Sequence, residues 1–255
     1  MRSHAAARSV GALILREMAT TYGRTPGGYI WAFCEPIAAV ALLAAVFSLA
    51  FEAPPLGRDF AIFYATGYLP FMFYSDLSQK IGVALRYSRP LLMYPAVAWF
   101  DAILARALLN SATHLVVAFV VLAGMIAISG APLPNFLMCF AGFILAAWVG
   151  FGFGVLNAFL FEFSPVWERV WAILNRPAFI ISGVLFLPDA VPAPFDDLIW
   201  LNPLVHAISL VRAGVYSGYA PAQLNVFFAI VMPCIAMIFG LMLLRRLGRR
   251  LLAQV

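Results

Sequence analysis

The chain has 255 residues, 64% of them hydrophobic and 11% charged, with a formal net charge of +5 and a mean hydropathy of +0.96. A soluble domain carries about 25% charged residues, so this composition excludes a soluble globular protein. It leaves no polar segment for a second domain, and the arginine excess reads as a membrane-topology signal in place of a nucleic-acid surface.

The first predicted element is an amphipathic helix over about 8–23. Val10, Leu13, Ile14, Met18 and Tyr22 recur at helical spacing, with Arg8, Arg16 and Thr20 away from them. Such a helix lies in the headgroup plane. Gly23, Pro26, Gly27 and Gly28 break it, so the chain can turn from lying on the membrane to crossing it.

A span needs about 20 apolar residues to cross a hydrocarbon core of about 30 Å. Six segments qualify, at 29–51, 60–79, 103–129, 136–161, 170–188 and 223–244. The first is too long for a signal-peptide core, so it is expected to be a retained helix. The prediction is one all-α transmembrane domain over 1–255.

Orientation follows from Lys and Arg in the short flanks. One side collects Arg2, Arg8, Arg16, Arg24, Lys80, Arg86, Arg89, Arg169, Arg245, Arg246, Arg249 and Arg250, and the other only Arg58 and Arg212. Both termini are therefore predicted to be cytoplasmic. Segment 189–222, with Asp189, Asp196 and Asp197, faces outward. It is too apolar for a free loop and reads as short re-entrant helices, around 195–200 and 203–217.

Polar residues inside spans are expensive in lipid and mark candidate sites. Glu35 falls about one turn inside the first span, after the interface aromatics Tyr29 and Trp31. Two readings stay open: it lines a functional surface, or it snorkels or pairs with Arg24. Asp76, Asp101, Arg106, Asn110, His114, Asn157, Asn175 and Arg176 are the others. Arg106, Asn110 and His114 recur every four residues and share a face expected to point into the protein. Asp101, five residues before Arg106, pairs loosely with it or meets the preceding loop.

Several chemistries are absent from the sequence. The only lysine is Lys80 in "SQKIGVAL", with no phosphate-binding loop around it. There is no GxSxG or HExxH, so no enzyme is predicted. Cys34, Cys139 and Cys234 lie in apolar runs and read as buried apolar residues. His206 has no partner at ligand spacing, so no metal is expected.

Three motifs carry a resemblance. "REMATTYGRTPGGYIWAFCEP", 16–36, resembles the start of inner-membrane permeases of type-2 ATP-binding-cassette exporters, in the branch that exports capsular polysaccharide. Its "TYGR", 21–24, has Thr21 where the family motif begins with arginine. "ISGVLFLPDAVP", 181–192, is similar to the family's fifth span and its exit. "NPLVHAISLVRAGVYSG", 202–218, resembles the element before the last span.

The resemblance implies a half-transporter in a bacterial inner membrane. A second copy would complete the pathway, and two copies of a separate cytoplasmic ATPase, binding ATP and Mg, would power it. No cofactor is implied for this chain itself. "LRYSRPLLMYPAV", 85–97, resembles the coupling helix that docks on the ATPase. Arg16, Glu17, Arg86, Tyr87, Arg89 and Pro90 are the implied coupling residues. "FEFSPVWERVW", 161–171, with Glu162, Glu168 and Arg169, is a lesser candidate docking surface. Asn202, Pro203, His206 and Arg212 belong to the implied exit cap. The implied cargo is lipid-linked polysaccharide, handed to periplasmic and outer-membrane export proteins.

Sugars stack on aromatic faces, and basic groups attract acidic sugars. Candidate pathway residues are Tyr29, Trp31, Glu35, Tyr64, Tyr68, Phe71, Tyr74, Arg106 and Trp167, although aromatics equally serve packing and interface belts. O-antigen, teichoic acid or a small lipophilic cargo remain rival substrates. A secondary transporter is more distant, because no inverted repeat is visible.

Overall fold

The computed structural model describes residues 2–21, 28–92 and 97–253. The predicted break at Gly23, Pro26 and Gly27, the Arg24 position and residues 93–96 of the predicted coupling loop lie outside the described residues, as does the side chain of Tyr29.

The helices are α1 (Arg2–Thr21), α2 (Gly28–Ala50), α3 (Phe60–Gly82), α4 (Ala84–Leu92), α5 (Trp99–Ser129), α6 (Phe136–Phe163), α7 (Pro165–Ile181), α8 (Asp196–Trp200), α9 (Pro203–Val215) and α10 (Val226–Ala253), with a 3-10 turn at Pro188–Ala190. No strand occurs among the described residues.

Short polar side chains start several of these helices by taking the N–H groups that a first turn leaves unpaired. Asp59 accepts from Ala61 N–H at 2.8 Å to open α3. Asn135 accepts from Met138 N–H at 3.2 Å for α6. Asn202 accepts from Leu204 N–H at 3.0 Å, with Pro203 at the first position of α9. At α5, Asp101 Oδ2 accepts from Ala98 N–H at 3.1 Å. Asp101 is thus a helix cap, not a partner of Arg106.

Four helices among the described residues are long and apolar enough to cross a membrane: Ile30–Ala50, Trp99–Ser129, Phe136–Phe163 and Val226–Arg246. The other two predicted spans differ from these. The α3 helix has 23 residues but carries Asp76 and Lys80 near its end. The α7 helix has 17 residues, or about 26 Å at 1.5 Å per residue. The apolar run 170–188 does not stay helical to its end. It leaves the helix at Ile181 and turns through Gly183, whose φ of +75° favours glycine.

The core centres on α6, which runs parallel to α3 and contacts α9 and α10 as well. Small residues let backbones approach. A Cβ at Gly150 would lie 2.9 Å from Tyr74 O of α3, and one at Gly142 would lie 2.8 Å from Val211 N of α9. Phe63, Tyr64, Phe73, Leu77, Ile81, Ile103 and Phe143 are buried around these contacts. By contrast α7 buries no residue fully, and the apolar side chains Ile30, Leu42, Val46 and Leu49 of α2 are exposed.

Candidate functional site

At one end of the bundle a single guanidinium joins four helices. Arg106 of α5 is 6% exposed. Its Nε lies 3.1 Å from Glu17 Oε1 of α1. Its Nη1 donates to Lys80 O, near the end of α3, at 2.9 Å. Its plane sits 4.1 Å from the ring centre of Tyr87 in α4, a favourable placement of a cation on an aromatic face. Arg16 approaches the same ring at 5.6 Å, and the hydroxyls of Thr20 and Tyr87 share a hydrogen bond.

The face of α1 that meets the protein carries Leu13 and Glu17, four residues apart and both buried. Burial pushes the Glu17 carboxyl above its ordinary value, and Arg106 pulls it back.

Beside this hub, α4 is fastened to the corner between α6 and α7. Arg89 Nη2 lies 2.6 Å from Glu162 Oε2, and Arg86 Nη1 lies 2.7 Å from Glu168 Oε2. Arg86 Nε is 3.7 Å from Glu162 Oε1, and Arg86 Nη2 donates to Phe161 O at 2.9 Å. Gln79 of α3 donates to Glu168 at 3.4 Å.

A cavity of about 300 Å3 opens between α2, α3 and α5. Trp31 and Glu35 line one side, and Asp76, Lys80, Thr113 and His114 the other. Asp76 binds its two neighbours, Lys80 at 3.6 Å and His114 Nε2 at 3.3 Å. The His114 ring stacks on Phe73 with centroids 5.2 Å apart. This is a polar wall inside an apolar bundle, with both signs of charge present.

The opposite end is sealed by backbone carbonyls. Arg212 of α9 is 0% exposed. It donates to Gly183 O at 2.7 Å, Val184 O at 2.9 Å and Phe186 O at 3.0 Å, and stands 4.4 Å over the Phe63 ring. These carbonyls lie just past α7, where a helix end is negative and a cation is favoured. Asn225 N–H donates to His206 Nδ1 at 3.1 Å, so the Nε2–H of a neutral ring donates to Trp200 O at 2.9 Å. Asn202 donates to Ser182 Oγ at 3.0 Å. Near Arg212, burial pushes the Tyr219 hydroxyl up to about 12.

The family model described as ABC-2 type transporter matches residues 8–216. The chain belongs to the ABC-2 type transporter family. Among curated relatives, it is 28% identical over 239 residues to the Escherichia coli polysialic acid transport protein KpsM, covering 93% of this chain and 92% of that one. It is 26% identical over 245 residues to the capsule polysaccharide export inner-membrane protein CtrC of Neisseria meningitidis, covering 95% and 92%. It is 23% identical over 244 residues to the capsule polysaccharide export inner-membrane protein BexB of Haemophilus influenzae, covering 95% and 92%.

In this ABC-2 chain the sequence candidates separate into groups. Arg16, Glu17 and Tyr87 come together, and Arg106, expected on a pathway, joins them. Arg86 and Arg89 sit beside that group, and Pro90 lies in the last turn of the same α4 helix. Trp31 and Glu35 line the cavity. Tyr64, Phe71 and Tyr74 are 1%, 5% and 7% exposed and packed among aromatic neighbours. Trp167 donates to Asn157 Oδ1 at 3.1 Å across the α6–α7 corner. Arg106, Asn110 and His114 turn inward, and Asn110 caps Arg106 O at 2.8 Å.

Glu162 and Glu168 have a different place from the one expected of them. They are engaged by α4 of the same chain. The available signal was two arginines, Arg86 and Arg89, and two carboxylates, Glu162 and Glu168, in segments predicted to lie on the same side.

Proposed function

We propose that this chain is the permease subunit of an ATP-driven exporter that moves lipid-linked capsular polysaccharide across a bacterial inner membrane. The observation that carries the reading is the match to relatives named for capsule polysaccharide or polysialic acid along 92% of their length, inside an ABC-2 family match.

In this reading α2, α3, α5, α6, α7 and α10 cross the membrane with both termini cytoplasmic. The α1 helix lies at the cytoplasmic interface, and α8 and α9 dip back from the far side. Two copies of the chain form the pathway. The sequence around Lys80 offers no phosphate loop, so ATP and Mg bind two copies of a separate ATPase, which docks against α4. Periplasmic and outer-membrane export proteins take the polymer onward.

The physical support is the arrangement at the arginine-rich end. Packed elements with discrete contacts transmit rigid-body shifts, and a push on α4 reaches α1, α3 and α5 through Tyr87 and Arg106. The cavity lined by Trp31 and Glu35 supplies a flat ring and polar groups on the same side.

The test is complementation. The chain is expressed with a candidate cytoplasmic ATPase subunit in a strain lacking its own capsule permease, and surface polymer is measured. ATP-dependent surface capsule supports the reading. An assembled, ATP-hydrolysing complex that moves O-antigen or teichoic acid instead keeps the exporter and changes the cargo. Failure to assemble with any ATPase overturns it.

A further inference from the structure

The tie between α4 and the α6–α7 corner does more than close the surface. We propose that Glu162 and Glu168 are positioning residues for the coupling helix, which they clamp to the corner so that a push on α4 reaches α6 and α7. This rests on the permease reading above. The chain itself joins α4 only to α3 and α5, so without the clamp the push would have no direct route to α7.

The geometry supports a rigid clamp. The α4 helix has nine residues, and Arg86 and Arg89 are three apart on one of its faces. Each arginine meets a carboxylate at 2.6 or 2.7 Å, the short range of charge-assisted hydrogen bonds. The Glu162 side chain is 6% exposed, so these two arginines, and little water, are what its carboxylate meets.

Arg86 also bridges the corner itself, holding Phe161 O at the end of α6 and Glu168 in the first turn of α7. Only Ser164 separates the two helices, and Pro165 opens the second. The corner therefore has little slack.

The α7 helix is suited to being moved. It buries no residue fully within the chain, so few side-chain contacts lock it to the rest of the bundle. Along its length it leans on ring contacts such as Phe179 against Phe71 and Trp171 against Phe153. Its far end is held by Arg212. The helix is thus pinned outside and driven at its base.

The experiment uses the full complex with its ATPase, reading ATPase co-purification, ATP hydrolysis and surface polymer. Glu162→Gln should keep the ATPase bound and hydrolysing, and should lower export at least tenfold. Glu162→Asp should recover part of that loss. Arg89→Glu alone should fail, and the exchange Arg89→Glu with Glu162→Arg should restore export to within about threefold of the parent, which a purely structural loss would not allow.

The exchange Arg86→Glu with Glu168→Arg should likewise restore export that either substitution alone removes. Normal export in Glu162→Gln overturns the inference, as does failure of the exchange in a complex that still assembles. If the unaltered chain neither binds an ATPase nor exports, the permease reading fails instead.

Discussion

Arg106 and Glu17 form an ion pair at 3.1 Å with side chains 8% and 10% exposed. The first helix is thereby tied to the fifth by charges that have almost no water. Removing one partner strands the other, which typically costs about 3–5 kcal/mol, whereas replacing both by apolar groups is often neutral. Glu17→Ala and Arg106→Met should each lower the melting temperature of the detergent-solubilised protein markedly. Glu17→Leu with Arg106→Met should recover most of that loss. Glu17→Gln should be the mildest single change, because burial already holds this carboxyl above its ordinary value. A double-mutant cycle with additive losses would contradict the pairing.

Arg212 makes a different kind of fastening. It satisfies three carbonyls beyond α7 and faces no carboxylate within ion-pair distance among the described residues. A lysine cannot reproduce a planar fork of donors. Arg212→Lys should therefore lower stability by roughly 1.5–3 kcal/mol, the usual worth of a hydrogen bond to a charged group. Amide hydrogen exchange should rise first at 183–187. Uniform exchange across the chain would indicate a general loss of packing instead.

Gly150 tests the core directly. Its absent side chain lets α6 approach the α3 backbone at Tyr74. Because the opposing atom is a main-chain oxygen, no rotamer change relieves the clash. Gly150→Ala should destabilise by about 1–3 kcal/mol, as overpacking does. Gly124→Ala, where nothing lies within 4 Å, should leave the melting temperature unchanged or slightly raised.

What could be read in the sequence depended on local pattern. The all-helical class followed from composition, and the inward face of Arg106, Asn110 and His114 from a four-residue spacing. The partner of Arg106 was not legible. Glu17 lies 89 positions away, and which charges meet is decided by helix packing. The end of α7 was overread because "SGVLFLP" is as apolar as a helix. What stops it is a left-handed glycine and an arginine from another helix. Tyr64, Phe71 and Tyr74 looked like Trp31 by residue type, since a ring offers the same apolar area to a core or a cavity. Only the folded chain separates them.

That separation predicts two kinds of defect. Trp31 is 64% exposed and lines the cavity, so its folding contacts are few, and substitutions at such sites usually stay within about 0.5 kcal/mol. Trp31→Ala should leave expression and melting temperature near the parent and slow export severalfold. Tyr74 is 7% exposed against Phe71, and truncating a buried ring costs about 3–5 kcal/mol. Tyr74→Ala should lower expression and export together. The comparison is export per unit of membrane-inserted protein, measured for both variants in one strain. A fall in that ratio for Trp31→Ala alone assigns the cavity a part in transport. Equal ratios would mean that the cavity is an accident of packing between α2, α3 and α5.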